Sequence, residues 1–150
     1  MNRAELAKNN FTGGCNCAQA VFLAFSDLTK LEKSTALRLT ASFGGGFGRL
    51  REVCGAVSGM VMALGLLYAS DETTDAKQKA AHYQRVQELA AKFKEMNGSI
   101  ICRELLDGTP TTAGHAPEAR TEAYYAKRPC AELCATAAEI LEQYIQEHPL

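Results

Sequence analysis

Between Val53 and Ala69 the chain reads VCGAVSGMVMALGLLYA, seventeen residues without a charge. A helix that is apolar on every side belongs either in a membrane or at the centre of a bundle. This run is at the short limit for a membrane span, and amphipathic segments on both sides are available to cover it. It therefore reads as a buried central helix. Gly55, Gly59 and Ala63 recur every four residues along it and remove side-chain bulk, so that neighbouring backbones can come close. Cys54 stands at its first turn.

The flanking segments carry helix signals in order. Asn2 with Glu5 forms a capping pair for a first helix that ends before Thr12-Gly13-Gly14. Asn16 with Gln19 caps a helix over 17–28, with Cys17, Ala20, Val21, Ala24, Phe25 and Leu28 on one face. Ser34 opens a short helix over 34–42, with Leu37 and Ala41 inward. The segment Phe43-Gly44-Gly45-Gly46-Phe47-Gly48-Arg49 follows a helix rather than a strand and lacks the Walker lysine, and Arg49 occupies the last glycine of a GxGxxG register. It reads as a flexible connector rather than a phosphate cradle. The central helix covers 52–69.

Asp75 opens a helix over 75–97, with Ala76, Tyr83, Val86, Leu89, Ala90 and Phe93 on its apolar face. Asn97-Gly98 ends it in a left-handed cap. Ser99 caps a helix over 100–106, Asp107 to Ala116 is a surface loop, Pro117 starts a helix to 125, and the last helix covers 130–147. Cys130, Leu133, Cys134, Ala137, Ile140, Leu141 and Tyr144 line the inner face of that last helix. No strand pattern occurs. The expected fold is all-α, a single helical-bundle domain over 1–150 around a buried, glycine-rich central helix.

The net charge of −1 argues against nucleic acid or an anionic membrane as partner. The first residues, MNRAELAKNNF, contain no apolar core, so a cytoplasmic, reducing setting is expected, where cysteines serve chemistry or metal rather than structural bridges.

Four of the six cysteines, Cys17, Cys54, Cys102 and Cys130, fall in the first turn of an expected helix. Unpaired N–H groups and the positive helix end favour thiolate there, and thiolate is both nucleophile and metal ligand. Numbered from Asn16, their helices are alternate ones, so short connections would bring the four starts to one end of the bundle. Cys15 and Cys134 lie outside this set and form no CxxC pair, leaving each as a resolving partner or a neutral residue. His82, His115 and His148 read as surface residues, and only His115, in the loop, is placed to serve the thiols as a base. Arg49, Arg51 and Glu52 precede Cys54, where they either gate a pocket, bind an anion or simply sit in solvent.

Cys54-Gly55-Ala56-Val57-Ser58-Gly59 is similar to the central CGAxxG motif of the C-GCAxxG-C-C family of redox-active proteins. Asn16 to Val21 resembles the segment of its first cysteine, Phe43 to Gly48 its glycine loop, and Cys102-Arg103-Glu104-Leu105-Leu106 its third site. Cys130, seven residues before Ala137-Ala138-Glu139, fits the fourth. The resemblance implies a redox role centred on these four cysteines, and family members tend to occur beside transporter genes.

Thiol–disulfide chemistry is one form of that role. An iron–sulfur cluster held by Cys17, Cys54, Cys102 and Cys130 is the other, with Gly55 and Gly59 as candidate cofactor contacts. A structural zinc site on the same four thiolates and a helical module docking on a membrane transporter are the alternatives from other classes. The redox partner or small-molecule substrate and the oligomeric state are left open by the sequence.

Overall fold

The computed structural model describes residues 1–150 and contains nine α-helices, one 3₁₀ turn and no strand. The helices are α1 Arg3–Thr12, α2 Cys17–Leu23, α3 Ser26–Thr29, α4 Lys33–Thr40, α5 Gly55–Tyr68, α6 Ala76–Asn97, α7 Cys102–Leu105, α8 Glu122–Lys127 and α9 Cys130–Glu147. α5 lies across α2 and is flanked by α6 and α9, while α1 runs along α9. Phe22, Phe25, Met60, Leu64, Phe93 and Leu141 fill the space between them and are fully buried.

Local capping starts the first two helices. The Asn2 side chain accepts from the Glu5 N–H at 2.8 Å, and the Glu5 carboxylate accepts from the Asn2 N–H at 3.3 Å. Asn16 and Gln19 exchange the same two bonds, both at 2.9 Å. Each box satisfies N–H groups that have no partner within the helix. Asp75 caps α6, and Gly98 closes it at φ 93°, as the Asn97-Gly98 pair predicts. All seven residues expected on the inner face of α9 are buried.

Several boundaries differ from expectation. The helix expected over 17–28 breaks at Ala24–Phe25 and resumes as α3, although both residues at the break remain buried. α4 is capped by Glu32, and Ala36 and Thr40 rather than Leu37 and Ala41 form its buried face. Thr40 is tolerated there because its hydroxyl donates to the Ala36 carbonyl at 2.7 Å.

α5 is shorter than the apolar run and is covered all round only in its first half; Leu66 is 52% exposed. No helix is long and apolar enough to cross a membrane. On α6, only Leu89 and Phe93 are buried; Tyr83 points outward, 61% exposed, while His82 turns toward Gly65 of α5. The helix expected from Pro117 begins at Glu122. Residues 117–121 are held instead by tertiary bonds, with Glu118 accepting from the Thr112 N–H and Arg120 donating to the carbonyls of Phe11 and Cys15.

The glycine-rich segment is not a loose connector. Gly45, Gly46, Phe47, Gly48 and Arg49 all have φ between 59° and 72°, which winds a left-handed turn. The Arg51 and Glu52 N–H groups bond back to the Gly45 and Gly46 carbonyls at 3.1 and 2.9 Å. Left-handed backbone costs an L residue about 1–2 kcal/mol, so Phe47 and Arg49 hold this shape only because those bonds and their surroundings enforce it.

Candidate functional site

The four helix-start cysteines are positioned by backbone. Cys17 is the first residue of α2, directly after the Asn16 cap, and Cys130 is the first of α9, after Pro129. Cys54 caps α5, and Cys102 opens α7. The last two are tied together by a short ladder around the Val53–Ile101 bridge. Within it the Cys102 N–H donates to the Glu52 carbonyl at 2.6 Å, and the Cys54 N–H donates to the Ile100 carbonyl at 2.8 Å.

Glycines close the remaining gaps. A Cβ on Gly55 would lie 2.9 Å from the Phe43 carbonyl oxygen and 3.1 Å from the Cys17 Cβ. A Cβ on Gly46 would lie 2.6 Å from the Cys102 Cβ. Gly59 sits deeper, against the Ala18 carbonyl, and does not border the thiol cavity, whereas Gly55 does. The CGAxxG spacing thus sets the start of α5 against the start of α2.

Cys17, Cys54, Cys102 and Cys130 all line one cavity of about 60 Å³. Phe11, Tyr124, Leu105 and Leu133 supply apolar wall, and Arg51, Arg120 and Arg128 also line it. The Cys17 thiol lies near enough to those of Cys130 and Cys134 for both to shift its ionisation. Cys134 lies behind Cys17, fully buried, its sulfur 3.8 Å from the Cys17 carbonyl oxygen. Cys15 is half-buried outside the cavity and contributes a carbonyl that accepts from Arg120. All six thiols are free.

The thiols are not poised to ionise as their helix positions suggest. Burial pushes Cys54 up to about 12, although the N–H groups of Ala56 and Val57 pull the other way. Burial also raises Cys102, opposed by the Arg51 guanidinium 3.9 Å from its sulfur. The neighbouring Cys17 thiol, followed by burial, holds Cys130 far above the ordinary thiol value. For Cys17 the nearby Cys130 thiol favours thiolate, but Cys134, burial and neighbouring sulfurs together outweigh it and leave the thiol strongly raised. Burial raises Cys15 and Cys134 as well. Burial outweighs the helix end at Cys54 and Cys102, and all six thiols are shifted away from thiolate.

Metal ligation asks more of the donors than this arrangement supplies. No three Cys, His, Asp or Glu side chains approach closely enough to share an ion. The cavity has room for about two water molecules. As placed, the four sulfurs fit neither tetrahedral zinc nor an iron–sulfur cluster.

The other sequence candidates separate. His115 borders a vestibule outside the thiols, together with Arg49, Arg51, Arg120 and Arg128. His148 stacks on Tyr144 with ring centroids 4.0 Å apart, far from the site, and His82 faces α5. Arg49 is not a solvated end: it donates to the carbonyls of Thr112, Gly114 and Ala116 and straps that loop down. Glu52 pairs outward with Arg103 at 3.1 Å. Arg120, Tyr124 and Arg128, which border both the cavity and the vestibule, carried no sequence signal, because they lie in or beside a stretch without periodicity.

A family model described as "Putative redox-active protein (C_GCAxxG_C_C)" matches residues 15–144. No curated protein and no solved structure matches the chain.

Proposed function

The chain belongs to the C_GCAxxG_C_C family, and from that premise we propose that it is a thiol–disulfide redox protein of a reducing, cytoplasmic setting. The observation that carries this reading is the meeting of four thiols from four helix starts around one cavity, with Cys17 and Cys130 near enough to shift each other's ionisation. Cys102 is the first thiol to react, because it alone has a guanidinium, that of Arg51, beside its sulfur. A neighbouring cation lowers the cost of forming thiolate just where the attacking sulfur needs it.

The chemistry proceeds by exchange. The Cys102 sulfur attacks one sulfur of a substrate disulfide, whose S–S bond breaks; one substrate thiol leaves with the Cys102 proton, and a mixed disulfide remains. The Cys130 sulfur then attacks the Cys102 sulfur and releases the second substrate thiol. Attack by Cys17 on Cys130 moves the bond inward and returns Cys102 to its thiol form. In sum, one substrate disulfide is reduced to two thiols, and the Cys17–Cys130 dithiol is oxidised to a disulfide. Phe11, Tyr124 and Leu133 give the inner pair an apolar wall, and Gly55 holds the α2 and α5 starts together.

An iron–sulfur cluster also takes four cysteines, but these sulfurs would have to draw closer together than they stand to hold one, so electron transfer ranks behind the dithiol reading. One preparation separates the readings. Anaerobically purified, reduced protein is treated with a small disulfide, its free thiols are counted, and its peptides are mapped by mass. The expected result is loss of a pair of thiols and a peptide linking Cys17 to Cys130, formed more slowly in C102S. Brown protein containing iron and sulfide would select the cluster. Stoichiometric zinc would select a structural metal. Unreactive thiols without metal would point to a helical module such as a transporter-associated one.

A further inference from the structure

Outside the thiol cavity lies a second hollow of about 280 Å³, a volume suited to a small molecule. The two share Arg51, Arg120, Arg128 and Tyr124, so the hollow is a vestibule to the thiols. Its charge is one-sided. Arg49, Arg51, Arg120 and Arg128 border it, against the single carboxylate of Glu118. The whole chain carries a net charge of −1, so this concentration of cations is local.

Three of the four guanidiniums have no anionic partner. Arg49 is bonded to loop carbonyls. Arg120 donates to the Phe11 and Cys15 carbonyls at 3.1 Å and lies over the Phe11 ring at 4.3 Å. Arg51 has the Cys102 sulfur as its one side-chain polar partner, which leaves most of its donors free. Arg128 alone is ion-paired, with Glu118. Arginine forks are suited to planar carboxylates, and a cleft lined by one sign of charge concentrates the opposite sign.

Building on the dithiol reading, we propose that this vestibule binds the carboxylate groups of a low-molecular-weight anionic disulfide and presents its S–S bond to Cys102. The Cys102 sulfur bonds to the nearer substrate sulfur while the S–S bond breaks. Its electron pair leaves on the farther sulfur, which takes the Cys102 proton and departs as an anionic thiol past Arg51 and Arg120. The disulfide is the oxidant, and no other co-reactant is consumed.

Three disulfides of similar size test the charge requirement: dithiodiglycolate, bis(2-hydroxyethyl) disulfide and cystamine, which are anionic, neutral and cationic. The rate of thiol loss in the reduced protein is measured with each and divided by the rate at which the same disulfide reacts with free 2-mercaptoethanol. The normalised rate is expected to be greater for the anion than for the cation by roughly tenfold or more at low salt, and the gap should shrink as salt rises. R51Q should slow all three through Cys102 and also collapse the anion-to-cation ratio, whereas R51K should retain the ratio. Equal normalised rates for the three disulfides would overturn the anionic vestibule while leaving the dithiol reading intact. Failure of all three to oxidise the thiols would overturn the dithiol reading, and this inference with it.

Discussion

The carbonyl oxygen of Ala18 lies 2.4 Å from the point where a Cβ on Gly59 would stand. α2 and α5 therefore touch backbone to backbone, one turn below the Cys17–Cys54 end of the same helix pair. Any side chain at 59 must drive the helices apart, because the obstacle is main chain and cannot rotate away. G59A is expected to destabilise by about 2–3 kcal/mol, measured as a fall in the urea midpoint at constant m. Gly65 of the same helix offers the control. Its Cβ would meet only the His82 ring, at an ordinary 3.7 Å, so G65A should stabilise by about 0.5–1 kcal/mol through helix propensity.

The sequence reading succeeded where the cause is local. Asn2 with Glu5 and Asn16 with Gln19 are legible as caps because each box is closed within four residues. The α9 stripe is legible because one period runs unbroken from Cys130 to Tyr144. Gathering of the four cysteines was also anticipated, though by an alternation of helices that the extra break before α3 disturbs. What brings the sulfurs together is the 52–54 to 100–102 ladder and the close approach at Gly46 and Gly55, neither of which has a sequence period. Thiol ionisation is not legible for a related reason: a helix start is visible in sequence, but the depth of burial that outweighs it at Cys54 and Cys102 depends on distant residues. Arg120 and Arg128 were invisible because their partners, Phe11 and Tyr124 among them, are chosen by tertiary packing.

Alkaline pH should unfold the reduced protein. A buried Cys54 thiol loses its proton only near 12 in the folded state, against 9.0 ordinarily. Between those values the unfolded chain releases a proton that the folded chain keeps, so stability present below pH 9 is lost as pH rises toward 12. The slope is about 1.4 kcal/mol per pH unit for each such thiol. Urea unfolding of the reduced protein between pH 7 and 10.5, under a phosphine reductant, should show a midpoint that falls steeply above pH 9. C54S should remove one proton's share of that slope. A flat profile would mean that the thiols are solvated in solution.

The Glu118–Arg128 pair makes the opposite demands of stability and of binding. The Arg128 side chain is only 4% exposed and that of Glu118 is 16% exposed, so the charges compensate each other away from water. E118Q leaves the guanidinium buried and unpaired, and a loss of about 3 kcal/mol is expected in chemical denaturation. The same change removes the vestibule's one carboxylate. Surviving folded E118Q should therefore show a wider normalised preference for dithiodiglycolate over cystamine than the parent protein, even as its unfolding midpoint drops.

Cys134 and Cys130 both shift the ionisation of the Cys17 thiol, yet only Cys130 lines the cavity. On the dithiol proposal, that difference makes Cys130 the redox partner and Cys134 a packed sulfur. C130A is expected to abolish the disulfide that forms on treatment with a small oxidant, since Cys17 loses its partner in the cavity. C134A should leave that disulfide intact while costing about 1–2 kcal/mol, because a fully buried sulfur is removed from the core. C134A should also make Cys17 more acidic, for the Cys134 thiol is one of the groups that hold it protonated. Free-thiol counts after oxidation, read beside the urea midpoint and the alkylation rate of Cys17 against pH, check all three outcomes. A C134A protein that no longer forms its disulfide would transfer the partner role from Cys130 to Cys134 and move the redox pair out of the cavity into the core.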